Sequence, residues 1–166
     1  MNNNIKDAKY YTNSGIEKTN IGDFAGALED LNKSLELNPN WDLTYFSKAI
    51  VFHNLKRLED AYENYTKTIE INPNMIDAYY NRAQVLFLDK DSLDEEKLKQ
   101  ALSDLEKSTE LDNKFTDAYY YAATVKIKLK DYQGALDSLD KVLETEPDAI
   151  NSRALKKLIL QKYMKH

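Results

Sequence analysis

The chain has 166 residues, 42% of them apolar and 31% charged, and a net charge of −5 at neutral pH. No run approaches the roughly 20 apolar residues of a membrane span, and the opening Met1-Asn2-Asn3-Asn4-Ile5 lacks a basic segment followed by an apolar core, so the chain reads as cytoplasmic. Absent cysteine excludes disulfides, a thiolate nucleophile and a thiolate metal site, and the negative charge argues against nonspecific nucleic-acid binding.

The charge is uneven. Residues 148–166 carry Arg153, Lys156, Lys157, Lys162 and Lys165 against Asp148, a net of +4 that leaves −9 on residues 1–147.

In chain order the sequence reads as helix pairs. Residues 8–41 begin with a first helix carrying Tyr11 and Gly15. Gly22-Asp23 then breaks the pattern, and Asp23 is an N-cap for a second helix with Phe24, Ala27, Leu28, Leu31 and Leu35 on one face. Asn38-Pro39 stops it, because proline lacks an N–H and disfavours helical geometry in the residue before it. Residues 42–75 repeat the plan with Tyr45, Ala49 and Phe52, a turn at Lys56-Arg57, Ala61, and the stop Asn72-Pro73. Residues 76–115 do so again with Tyr79, Ala83, Leu86 and Ala101, but with six extra residues around Asp89 to Lys99 and Asn113 in place of proline, a weaker stop. Ser92 and Glu95 have capping-box spacing, and Leu93, Leu98, Leu102 and Leu105 continue the pattern, so this second helix is expected to extend at its N-terminus. Residues 116–149 close the series with Tyr119, Ala123, the turn Lys130-Asp131, Ala135 and Glu146-Pro147.

The register is regular. Tyr11, Tyr45 and Tyr79 are 34 residues apart, as are Ala27 and Ala61, and Pro39 and Pro73; the step from Tyr79 to Tyr119 is 40. Gly15, Ala49, Ala83 and Ala123 on the first helices, and Ala27, Ala61, Ala101 and Ala135 on the second, are small enough to let paired axes approach closely. Lys18 and Lys126 stand where Phe52 and Leu86 are apolar, which predicts looser packing there. Residues 150–166 form a further amphipathic segment with Ala154, Leu155, Leu158, Ile159 and Tyr163 on one side. A stack of repeats otherwise ends on an exposed apolar face, so this segment reads as a cap; a basic amphipathic helix for an anionic membrane or acidic partner is the alternative.

A 34-residue period of two amphipathic helices is the signature of the tetratricopeptide repeat. Over residues 8–149 the chain resembles that family, with four copies agreeing in register. The resemblance implies an all-α, α-α superhelix, a right-handed solenoid of antiparallel helix pairs, as a single domain over residues 1–166. It also implies that the first helices line a concave groove. Carried onto this sequence, the inward positions are Thr12, Asn13, Ile16, Phe46, Ser47, Ile50, His53, Tyr80, Asn81, Gln84, Phe87, Tyr120, Tyr121, Thr124 and Lys128. Of these, Asn13, Phe46, Ile50, Tyr80, Asn81, Gln84, Tyr120, Tyr121 and Lys128 are the candidate binding residues. Aromatic faces with amides and few charges suit a peptide.

Co-chaperone members of the family grip a carboxylate-ended peptide with a Lys and an Asn a turn apart, a further Asn, then a Lys and an Arg a turn apart. This sequence offers Thr12, Ile16, Ser47, Asp77 and Asn81 in one frame and Phe46, Ile50, Asn81, Asp117 and Tyr121 in the other, and only Asn81 of the second frame matches. Asp77 and Asp117 would repel a carboxylate, so a two-carboxylate clamp is not expected, and the acidic body favours a neutral or basic ligand.

No chemistry is legible. The histidines are His53 and His166, without partners at ligand spacing, and acid pairs such as Glu29-Asp30 sit among lysines on a solvated surface. The glycines Gly15, Gly22, Gly26 and Gly134 form no phosphate-cradling loop. The expectation is therefore a non-enzymatic protein-interaction scaffold without a metal or cofactor, a monomer or weak homodimer. The alternative is a self-associating assembly module that uses the convex face or the terminal helix.

Overall fold

The computed structural model describes residues 6–88 and 95–164. Its helices are α1 (Ala8–Asn20), α2 (Phe24–Leu37), α3 (Asp42–Asn54), α4 (Leu58–Ile71), α5 (Ile76–Leu88), α6 (Glu95–Leu111), α7 (Thr116–Lys128), α8 (Tyr132–Thr145) and α9 (Ile150–Lys162). No strand occurs among the described residues, and the fold class is the all-α, helical-repeat superhelix class that the resemblance implies.

Local chemistry sets the helix ends. Asp23 accepts a hydrogen bond from the Gly26 N–H at 3.0 Å, as expected, and Asp131 does the same for Gly134 at 2.9 Å. The turns between paired helices need one left-handed residue: Gly22 supplies it at φ 82°, but Lys56 at 60° and Lys130 at 64° take the same conformation with a side chain. The second helices stop two residues before Pro39, Pro73 and Pro147, and α6 stops two before Asn113 without proline. An Asx turn explains this. Asp112 Oδ1 accepts from the Lys114 N–H at 2.9 Å, as Asn38 does for Asn40 and Asn72 for Asn74, both at 3.2 Å.

Helix α6 has 17 residues against 14 in α2, α4 and α8, and the three additions precede the register position of its alanine, Ala101. The expected N-terminal extension is therefore present from Glu95 onward. Ser92 and Leu93, which were expected to cap and begin it, lie outside the described residues.

The chain divides into two compact units, with the division between Ala78 and Tyr79 inside α5. In the first, α1 packs on α2, α3 on α4, and α3 on both α1 and α2. Its buried apolar cluster joins Ala27 and Leu31 of α2 to Val51 of α3. Gly15 is what brings α1 against α2: a Cβ there would lie 2.6 Å from Leu31 Cγ and 3.3 Å from the Ala27 carbonyl. A fully buried hydroxyl triad ties three helices together, Thr12 Oγ1 lying 2.8 Å from Ser34 Oγ and 2.7 Å from Thr44 Oγ1. Thr12 and Ser34 also donate to the Ala8 carbonyl, so these polar groups are buried with partners.

In the second unit α6 packs on α7, α7 on α8, and α8 on α9. Ile159 of α9 is fully buried with Ala123 of α7 and Ala135, Leu136 and Leu139 of α8. The buried stripe of α9 is Ser152, Leu155, Ile159 and Tyr163; Ala154 and Leu158, expected on that side, are exposed. The stripe is turned toward Ser152, and the half-buried Lys156 on the same side pairs with Asp140 of α8. Tyr163 stacks on Tyr132 with ring centroids 4.3 Å apart, pinning the end of α9.

The looser packing expected at Lys18 and Lys126 is replaced by polar links across each pair. Lys18 Nζ lies 2.7 Å from Asp30 of α2, and Lys126 donates to Ser138 Oγ of α8 at 3.2 Å.

Candidate functional site

The first helices place the candidate residues by helical spacing. In the first unit Asn13 of α1 is exposed, while Ile16 and Ile50, from α1 and α3, meet around a small recess of about 50 Å³ with Thr19, Asn20 and Ser47. Phe46 is half-buried and packs its ring against the buried Tyr65 of α4, centroids 5.7 Å apart. Two inward positions are buried. Thr12 belongs to the buried hydroxyl triad, and Ser47 is buried with its hydroxyl donating to the Leu43 carbonyl at 2.7 Å. His53 is half-buried, and desolvation, then the neighbouring Lys56, hold its imidazole below the ordinary value.

The second unit gathers its candidates into a row of half-buried rings. Tyr80 of α5 lies 4.8 Å from Phe115 and 5.7 Å from Tyr121 of α7, centroid to centroid. Tyr121 is also edge-on to Phe87 at 6.4 Å and to Tyr120 at 6.1 Å. Such offset and perpendicular contacts place the positive edge of one ring against the negative face of another. Lys128 sets its ammonium over Phe87, 5.1 Å from the ring centroid. Gln84 hydrogen-bonds the Tyr80 phenol, yet burial, Asp117 and Tyr121 push that phenol up to about 12. Asn81 is half-buried beside this row on α5.

Tyr80, Gln84, Tyr120, Tyr121 and Lys128 are therefore joined by contacts or shared neighbours, whereas Asn13, Phe46 and Ile50 belong to the first unit. Sequence reasoning missed Phe115, which precedes α7 and carries one end of the ring row. A signal was present: Trp41, Met75, Phe115 and Ala149 recur as an apolar residue immediately before each following first helix or α9.

Among the described residues no group of three or more His, Asp or Glu side chains is arranged to hold a metal ion. No helix among them is long and apolar enough to cross a membrane.

The geometry can be set against known proteins. The tetratricopeptide repeat model matches residues 8–40 and 44–75, and the Fis1 C-terminal tetratricopeptide repeat model matches residues 116–166. An uncharacterized protein of Methanocaldococcus jannaschii, MJ0572, is 45% identical over 60 residues, which are 36% of this chain and 70% of that protein. The chain belongs to the tetratricopeptide-repeat family. Among solved structures, a crystal structure of MamA superposes with TM-score 0.84 at 22% identity, covering 94% of this chain and 82% of MamA. MamA from Desulfovibrio magneticus RS-1 gives 0.83 at 21% identity, covering 96% and 86%. The first tetratricopeptide domain of Spaghetti (RPAP3), solved with the HSP90 peptide SRMEEVD, gives 0.64 at 22% identity, covering 75% and 96%. At these identities the likeness is one of fold.

Proposed function

We propose that the chain is a non-catalytic scaffold that binds a peptide segment of a partner protein on the faces of its first helices, the side that is concave in this family. The observation that carries the reading is the half-exposed ring row Tyr80, Phe87, Tyr120 and Tyr121 with Gln84 among it. Half-buried aromatics supply contact area at low entropic cost, and side-chain amides pair with a peptide backbone. Asn13, Phe46 and Ile50 offer a smaller counterpart on α1 and α3.

The ligand is neutral or basic. Spaghetti was solved with an acidic peptide, SRMEEVD. Here Asp77 and Asp117 occupy exposed first-turn positions of α5 and α7, and only Asn81 matches a clamp residue, so a two-carboxylate clamp is not part of the reading. The setting in this proposal is the cytoplasm, and the oligomeric state a monomer or weak homodimer, which sedimentation at two concentrations checks.

The test compares affinity capture from source-cell lysate by the intact chain and by a variant carrying Ile50→Ala, Asn81→Ala and Gln84→Ala, after circular dichroism shows equal helicity. Tyr80 and Tyr120 are spared because they pack on Phe115 and on the buried α7–α8 cluster. Partners lost only by the folded variant support the reading. Partners retained by it sink the first-helix assignment.

A further inference from the structure

We infer that the second unit contains a cation subsite, a tyrosine-walled acidic cleft between the start of α7 and the α8–α9 turn, which takes a lysine or arginine side chain of the bound peptide. The inference rests on the peptide-binding reading and names where the charge of that peptide is met.

The cleft holds about 580 Å³, and Asp117, Tyr120, Tyr121, Glu146, Asp148 and Asn151 line much of it. Its three carboxylates come from two segments, Asp117 from the first turn of α7 and Glu146 and Asp148 from the turn between α8 and α9. None of the lining residues is basic. Two of the carboxylates have local partners, since Thr116 donates to Glu146 Oε1 at 2.6 Å and Arg153, outside the lining, lies 2.7 Å from Asp148. Asp148 is 98% exposed and paired with Arg153, so Asp117 and Glu146 carry most of the charge of the cleft.

The rings give an independent reason for a cation. Tyr120 and Tyr121 are consecutive on α7, both line the cleft, and their planes stand at 86°, so two rings of different orientation border one opening. A ring face attracts an ammonium or guanidinium through its quadrupole, and a nearby carboxylate adds to that attraction. The same row already holds one cation, because Lys128 sits over Phe87, whose ring is edge-on to Tyr121. The competing occupant is an anion, drawn by the α9 N-terminus beside Asn151 and Ser152. A helix end is equivalent to about half a positive charge, and Asp117 with Glu146 outweighs it.

The test is a nuclear magnetic resonance titration of the full chain with four short Gly/Ser peptides that differ only at a central lysine, arginine, norleucine or glutamate. Norleucine keeps the apolar stem of lysine and removes the charge. The expected result is shifted amides at Thr116–Tyr121 and Asp148–Ser152 with lysine or arginine, binding at least about fivefold tighter than norleucine at low salt and weakening as salt rises. Asp117→Asn, an exposed change that leaves packing untouched, should weaken the lysine peptide about three- to tenfold and leave norleucine unchanged. Tyr121→Leu should reduce both cationic peptides. Equal binding of lysine and norleucine, preference for glutamate, shifts confined elsewhere, or no shift with lysine at the highest soluble concentration would each overturn the inference. Failure here with partners lost by the Ile50, Asn81 and Gln84 variant leaves the peptide-binding reading standing and removes only the cation subsite. Lysine preference with partners retained by that variant does the reverse.

Discussion

Arg82 of α5 and Asp104 of α6 form a two-pronged ion pair, Nε to Oδ2 at 2.8 Å and Nη2 to Oδ1 at 2.7 Å, with side chains only 13% and 6% exposed. Burial pushes the Asp104 carboxyl above its ordinary value although Arg82 pulls it back, so desolvation outweighs the attraction. Such a pair fixes geometry more than it stabilises. Asp104→Ala should cost about 3–5 kcal/mol by taking two charge-assisted hydrogen bonds from the buried guanidinium, while Arg82→Met with Asp104→Leu should recover most of the loss. Urea unfolding of the three chains checks this.

Close approach of α1 and α2 makes a second prediction. Gly15→Ala gains helix propensity of about 1 kcal/mol, but its methyl would meet the fully buried Leu31, which has no room to give. Overpacking costs about 1–3 kcal/mol, so the net change is destabilising by up to about 2 kcal/mol. A midpoint above wild type in urea would refute the contact.

The left-handed turns predict the opposite sign. Lys56 and Lys130 hold a conformation that costs a residue with a Cβ about 1–2 kcal/mol, whereas Gly22 avoids that cost. Lys56→Gly and Lys130→Gly should each stabilise by about 0.5–1 kcal/mol once the greater freedom of glycine in the unfolded chain is subtracted. Thermal unfolding of each variant measures it.

These elements also show what the sequence could and could not convey. Register carried the helix pairs, because tyrosine, alanine and proline at fixed intervals are local signals. The α6 stop was harder to read: proline was the expected signal, and the Asx turn at Asp112 does the work. The α9 face was misread because leucines lie on both sides of it, and which side is buried depends on α8, where Asp140 receives Lys156 and Leu139 meets Ile159. Among the candidate residues, the positions carried over from the resemblance leave Asn13 exposed and the Tyr80 row half-buried. Thr12 is buried instead, and its burial requires Ser34 and Thr44 from two other helices. The acidic cleft was invisible for a similar reason, since turn residues from the end of the chain complete it.

Alkaline titration reports on the ring row. Tyr80 is raised to about 12, first by burial and then by Asp117 and Tyr121. An unfolded tyrosine ionises near 10, so the folded chain holds this proton more tightly. Its contribution is full below pH of about 10 and is lost as pH rises toward about 12. Tyrosinate absorbance of Tyr80→Phe should lack one late-titrating group, and Asp117→Asn should titrate that group earlier than wild type does.

The central claim is that first-helix faces, and not second-helix faces, receive the partner. Site-specific photo-crosslinking in source cells tests it most directly, with the crosslinker at Asn13, Ile50, Asn81 or Tyr121 and, in parallel, at Lys33, Lys67, Lys107 or Lys141 on α2, α4, α6 and α8. The account predicts partner adducts from the first set and none from the second. Adducts from the second set alone would contradict it and move the interaction to the opposite face.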